Sequence, residues 1–292
     1  MSTEQPMTAR ERVRASLDHR EPDALAVDLG SNPSSGISAV AHANLVRSLG
    51  LADQRTRVYD VVQQLAQPSD ELLDRLRIDA VDIGRTFNTR DEDWKPLMLP
   101  SGIATEIPAW FDPVLQEDGA LEAFTEDGLR IAAMPRGAAF FDQTYFPYLD
   151  GYPDDFSDLP QVMPLVLWSG LVHSPWDHAG DEGFWETLRA QTLALRESTD
   201  RALMVVVGCN LFEWGTFLRR IDNFLMDLVV DQANVERLLD ALLELHFDTL
   251  DHVIASVGDL VDIVRFGDDL GMDNGPLMSP QTYRDILKPR HA

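Results

Sequence analysis

Val261-Asp-Ile-Val-Arg-Phe-Gly-Asp-Asp-Leu-Gly271 alternates β-branched residues and then stops on two acids set among glycines. A buried strand whose carboxyl end carries acids on a glycine-relaxed bend has this pattern. Ser279 then offers an N-cap and Pro280 a first helical position, so a helix is expected from there to the end. Strand, acidic loop and helix make one βα unit. In α/β barrels the polar residues at such strand ends carry the chemistry. Spacing alone leaves Asp268 and Asp269 open between site carboxylates and a solvated turn. It also leaves open which of the two points inward, because neighbours on a strand face opposite ways.

The same rhythm extends back along the chain. Residues 202–207 form the most convincing central strand, ending in Gly208-Cys-Asn-Leu-Phe-Glu-Trp-Gly215. There Asn210 and Glu213 are candidates to meet a substrate, with Glu213 as a helix-start acid the equal alternative. Residues 78–84 read as a strand following the helix 70–76, with Arg85 and Thr86 at its carboxyl end. A first strand is expected at 24–29, before the small-residue loop 30–36, and helices at 8–19, 37–49, 181–196, 223–230 and 233–257. Helices alternating with strands over short connections predict a parallel sheet. Turn signals at Glu117-Asp-Gly119 and Glu126-Asp-Gly128 interrupt this rhythm. They predict an antiparallel β insertion at about 93–150 within a single domain spanning 1–292, placed as a cover over the mouth. His246 and His252 are six apart, which does not put them on one helix face, so a metal pair is not expected.

Bulk properties narrow the functions. Acids outnumber bases 49 to 24, a net charge of −25, which repels nucleic acid and anionic membranes. No apolar run of about 18 residues predicts a membrane span. The opening Met1-Ser-Thr-Glu-Gln-Pro6 lacks a signal pattern. With one cysteine, Cys209, no internal disulfide can form, and a cytoplasmic location is expected. P-loop, Rossmann, Gly-x-Ser-x-Gly and His-Glu-x-x-His motifs are all missing.

Several stretches resemble the uroporphyrinogen decarboxylase superfamily. They are Arg10-Glu-Arg-Val-Arg-Ala-Ser-Leu17 with Glu21-Pro-Asp23, then Asp79-Ala-Val-Asp-Ile-Gly84, and the run from Leu211 to Leu228. The most specific are Phe266-Gly-Asp-Asp-Leu-Gly271, Gly275 to Arg284, and Lys288-Pro-Arg-His291. The resemblance implies a distorted (β/α)8 TIM barrel. It also implies tetrapyrrole decarboxylation or corrinoid-linked methyl transfer.

Two departures favour the methyltransferase-like branch. The loop Ser31-Asn-Pro-Ser-Ser-Gly36 has no arginine where decarboxylases of the family grip substrate carboxylates, and such a substrate needs several cations. Arg85-Thr86 stands where those enzymes place a catalytic aspartate. A third departure concerns metal. Methyltransferase members carry a zinc-binding His-x-Cys motif beyond the position where this sequence stops, and none occurs within it. The expectation is thus a barrel incomplete at its carboxyl end, whose open edges favour self-association, a homodimer included.

Three functions follow. The first is corrinoid-linked methyl transfer or O-demethylation of a small substrate, with a corrinoid protein as partner and zinc in a full-length member. In it Asp268 and Asp269 handle protons, and Arg85, Asn210 and Glu213 anchor substrate. The second is uroporphyrinogen-type decarboxylation. The third is a truncated binding protein without catalysis.

Overall fold

The computed structural model describes residues 6–99 and 101–292, so residues 1–5, inspected above for a signal pattern, lie outside it. Its centre is a parallel sheet of three strands, Ala80–Asp82, Ala202–Val206 and Ile263–Arg265, with the second in the middle. Met204 stands opposite both Asp82 and Ile263, which fixes the register. Side chains therefore sort by alternation. Val81, Leu203, Val205 and Val264 face helices Phe184–Ser198 and Gln232–Val257, packing on Phe184, Leu188, Val253 and Val257. The opposite face carries Ala80, Asp82, Ala202, Met204, Ile263 and Arg265. Its alanines are small enough for Val13, on helix Ala9–Leu17, to close one end.

The long helix Gln232–Val257 buries Val235, Leu238, Leu239, Leu242, His246, Val253 and Val257, a stripe at three- and four-residue spacing. Each fully buried leucine or valine contributes about 1.5–3 kcal/mol relative to exposure. Helices Phe212–Arg219 and Ile221–Val230 pack beside it, and their contact depends on Gly215. A Cβ there would lie 2.1 Å from the buried Phe224 ring, so no side chain fits. Ser279 caps the last helical segment as expected, accepting from Thr282 N at 3.0 Å.

Residues 24–29 do not form the first strand that the sequence suggested. Asp79 N donates to Val27 O at 2.8 Å, but Val27 N is taken by the Asp79 carboxylate, also at 2.8 Å. A side chain occupies the place of a backbone carbonyl, so no ladder propagates. Among the described residues the three parallel strands do not close into a cylinder. The fold is mixed α/β, a short parallel sheet covered by helices.

Between Trp94 and Gln143 run six short strands in two antiparallel sheets, Trp94–Met98 with Ala104–Pro108, and Val114–Leu115, Leu121–Phe124, Arg130–Met134 and Asp142–Gln143. The turn acids and glycines lie between them, with Gly119 and Gly128 both at positive φ. Among the described residues no helix is long and apolar enough to cross a membrane.

Candidate functional site

Asp268 follows the last parallel strand, and its side chain is 3% exposed. Its carboxylate accepts from Leu211 N at 3.0 Å and from Phe212 N and Glu213 N at 2.9 Å. These are orphan amides at the start of helix Phe212–Arg219, where a negative charge also meets the helix dipole favourably. His291 Nε2 donates to the same carboxylate at 3.0 Å. The two loops that end the middle and last parallel strands are thus tied together by one side chain. Asp269 is exposed beside it. Of the adjacent acids, Asp268 is the inward one, and its oxygens are spent on structure.

Glu213 stands one turn into this cap. Burial raises its carboxyl to about 7; the charges of Asp269 and Asp268 push the same way, while Asn210 and Arg265 pull against them. The Asn210 side chain donates to Glu213 Oε2 and orients it. Asn210 is held in turn through its backbone, where His246 Nε2 donates to its carbonyl at 3.0 Å. Arg265 reaches Ser34 Oγ at 2.8 Å, bringing the loop after residue 30 to the same rim. Asn210, Glu213, Asp268 and Asp269 are therefore neighbours.

Arg85 lies apart from them. Its guanidinium donates to Asp70 Oδ1 at 2.7 Å and to Pro68 O at 3.4 Å, away from the loops after the other two strands. The turn Ile83–Thr86 that follows the first strand directs it there. Asp82, on the inward face of that strand, is a further candidate that the strand-end residues do not include. Its Oδ1 has no hydrogen-bond partner among the described residues. Burial raises the Asp82 carboxyl to about 7, with the N–H groups of Gly84 and Ile83 and the Arg85 charge opposing. A lone acid inside the apolar run Ala80-Val-Asp-Ile83 was the available signal.

Cys209 and His246 do not fit a metal. Burial raises the Cys209 thiol to about 11, and it donates to His246 O at 3.8 Å. Among the described residues no three His, Cys, Asp or Glu side chains are grouped to hold an ion. Zinc, implied by the family resemblance, has no fitting donor set in these residues. His42 is a packing residue, buried and bonded through Nδ1 to Thr56 Oγ1 at 3.1 Å.

The two raised carboxyls make stability depend on pH. Between about pH 4 and 7 the folded chain holds two protons that the unfolded chain has released, from ordinary values of 3.8 and 4.5. That part of the stability is complete below pH 4 and disappears as pH climbs through 7. Each group accounts for at most roughly 3–4 kcal/mol. Thermal melts should show a higher midpoint for wild type at pH 5.5 than at pH 8.5. The double variant D82N/E213Q should show a smaller difference; an unchanged one would count against the assignment.

Fold and site together define a mixed α/β protein whose parallel strands end in a rim of carboxyl groups, one of them poised to give up a proton near neutral pH. No protein-family model matches the chain, and no curated protein matches it. Among solved structures it is similar to a methyltransferase from Methanosarcina mazei, at 14% identity and a TM-score of 0.46. The match covers 97% of this chain but 65% of that one, so this chain spans less than two thirds of that protein's length.

Proposed function

We propose that this chain is an enzyme of methyl transfer acting on an O-methyl compound, with the rim at Asn210, Glu213 and Arg265 as its active site. The observation that carries this reading is the Glu213 carboxyl, raised to about 7 and oriented by Asn210. Removing a methyl group from oxygen leaves a poor leaving group unless the oxygen is protonated as the bond breaks. In the proposed step an acceptor nucleophile supplies its electron pair to the methyl carbon and the O–CH3 bond breaks. The oxygen takes the proton from Glu213 and leaves as a hydroxyl compound, and the glutamate regains its proton from water. The acceptor is a reduced corrinoid presented by a partner protein as a substrate. The motif resemblance supports this choice, as does the absence of arginine among residues 30–36 themselves.

The roles of the other residues follow from their contacts. Asn210 orients the acid, Asp268 positions the loop that carries it, and the exposed Asp269 raises its proton affinity. Arg265, whose charge acts on the Glu213 carboxyl, supplies positive charge at the rim. Arg85 has no substrate role in this scheme. The three parallel strands belong, on this reading, to a distorted barrel of the uroporphyrinogen decarboxylase type.

The test is to mix the protein with methoxylated aromatic and aliphatic compounds and free cob(I)alamin, and to follow methylcobalamin by absorbance. Formation of methylcobalamin together with the demethylated alcohol is expected. No methylated product from any donor overturns the proposal. A parallel incubation with uroporphyrinogen that released carbon dioxide would favour decarboxylation instead.

A further inference from the structure

A second cavity lies at the end of the first parallel strand, and Glu213 is not among its lining residues. A cavity of about 10 Å³ is lined by Tyr59, Gln67, Asp82 and Ser174, with Gly30 and Gly84 in its wall. That is room for one water-sized group. Two polar atoms bordering it have no partner among the described residues, the Tyr59 hydroxyl and Asp82 Oδ1. Tyr59 is 9% exposed and its ring stands edge-on to His173, with centroids 5.1 Å apart, so the hydroxyl cannot turn to solvent without unpacking. Leaving two such groups unpaired is costly, at about 1–3 kcal/mol each. Both oxygens can accept, so a group that donates would pair them, while the Tyr59 hydroxyl also carries a proton of its own.

Charge narrows the class of ligand. Asp60, Asp82 and Asp28 all act on the Tyr59 hydroxyl. The cation lining the cavity, Arg85, has its guanidinium on Asp70 and Pro68 O. Burial keeps the neighbouring His173 neutral against the pull of Asp60 and Asp177. The field at the cavity is therefore negative. A small group with several donors, no acceptor and a positive charge meets all three conditions, and an ammonium head has three donors. From this geometry we infer that the cavity between Tyr59 and Asp82 is a binding site for the protonated head of a primary amine. Tyr59 and Asp82 accept two of its N–H bonds, and Gln67 or Ser174 accepts the third. The cavity is too small for a quaternary ammonium group, which also lacks N–H donors. This inference does not rest on methyl transfer and stands whether or not that activity is found.

The experiment is isothermal titration of the whole chain with methylammonium chloride at pH 8.5 and constant ionic strength. Tetramethylammonium and potassium chloride serve as comparison titrants. Saturable binding of methylammonium is expected, at least tenfold tighter than either comparison cation. D82N should weaken it by about 10- to 100-fold, and Y59F by about 3- to 10-fold, as the loss of charged and neutral acceptors predicts. Both variants should keep the wild-type circular dichroism spectrum. If D82N does not fold, Y59F alone decides, because it removes one oxygen and keeps the ring. Binding should also weaken at pH 6, where Asp82 holds a proton; Tyr59, Asp28, Asp60, His173, Asp177 and Arg85 are the other titratable and charged groups around it. Absence of saturable binding would mean that the cavity holds water alone and would overturn the inference. So would equal affinity for potassium, or equal affinity in wild type and Y59F.

Discussion

Replacing Asp268 with alanine should destabilise the protein by about 3–5 kcal/mol, lowering the thermal midpoint by roughly 10 °C. The carboxylate accepts three backbone N–H groups, from Leu211, Phe212 and Glu213, at 2.9–3.0 Å. Alanine would leave those amides unpaired in a region closed to water, and an unpaired buried donor costs far more than a hydrogen bond contributes. It would also cut the tie between the loops that end the middle and last parallel strands. Asparagine retains one acceptor oxygen and should cost about half as much. His291→Ala should cost under about 1 kcal/mol, because that partner is itself partly exposed. Chemical denaturation of the three variants measures the order. An Asp268→Ala protein as stable as wild type would show that the cap does not hold the two loops together.

Under the proposed methyl transfer, Glu213→Gln should lower the rate by about 10²- to 10³-fold at pH 7, within the range for loss of a general acid. The glutamine keeps the shape and the contact with Asn210, so KM should change little while kcat falls. The pH profile separates this from a packing effect. In wild type the rate should fall as pH rises above about 7, because the carboxyl raised by burial then loses its proton. In Glu213→Gln that limb should be flat. Asp269→Asn offers a finer check. Its charge is one of those that keep the Glu213 proton bound, so its removal should move the alkaline limb to lower pH with kcat nearly intact at pH 6. An unshifted limb would remove Asp269 from the mechanism, and an active Glu213→Gln would remove Glu213.

The amino-acid order by itself placed the three parallel strands and most of the longer helices, but not helix Phe212–Arg219, which it read as a strand-end loop. Alternation at residues 202–206 and 263–265, the acid-and-glycine turns of the insertion and the Ser279-Pro280 cap are local signals, and the structure carries each of them. The order also placed Asn210, Glu213, Asp268 and Asp269 at strand ends, and the fold does bring these four together. It did not separate their duties. Which of two adjacent acids turns inward depends on the neighbouring loop, whose amides claim Asp268 and leave Asp269 in solvent. Arg85 looked equivalent to them in sequence, yet the turn after its strand carries it to Asp70.

Only the tertiary structure decided the rest. The segment 24–29 has the composition of a strand, but the Asp79 carboxylate takes the amide that would have propagated a ladder. Asp82 and Tyr59 are 23 positions apart in the chain and belong to different sheets. Their meeting at one cavity is a consequence of packing. The physical reason is range: helix and strand periodicity are set by neighbours a few residues away. Burial, and with it the proton affinity of a carboxyl, is set by whatever part of the chain arrives to exclude water.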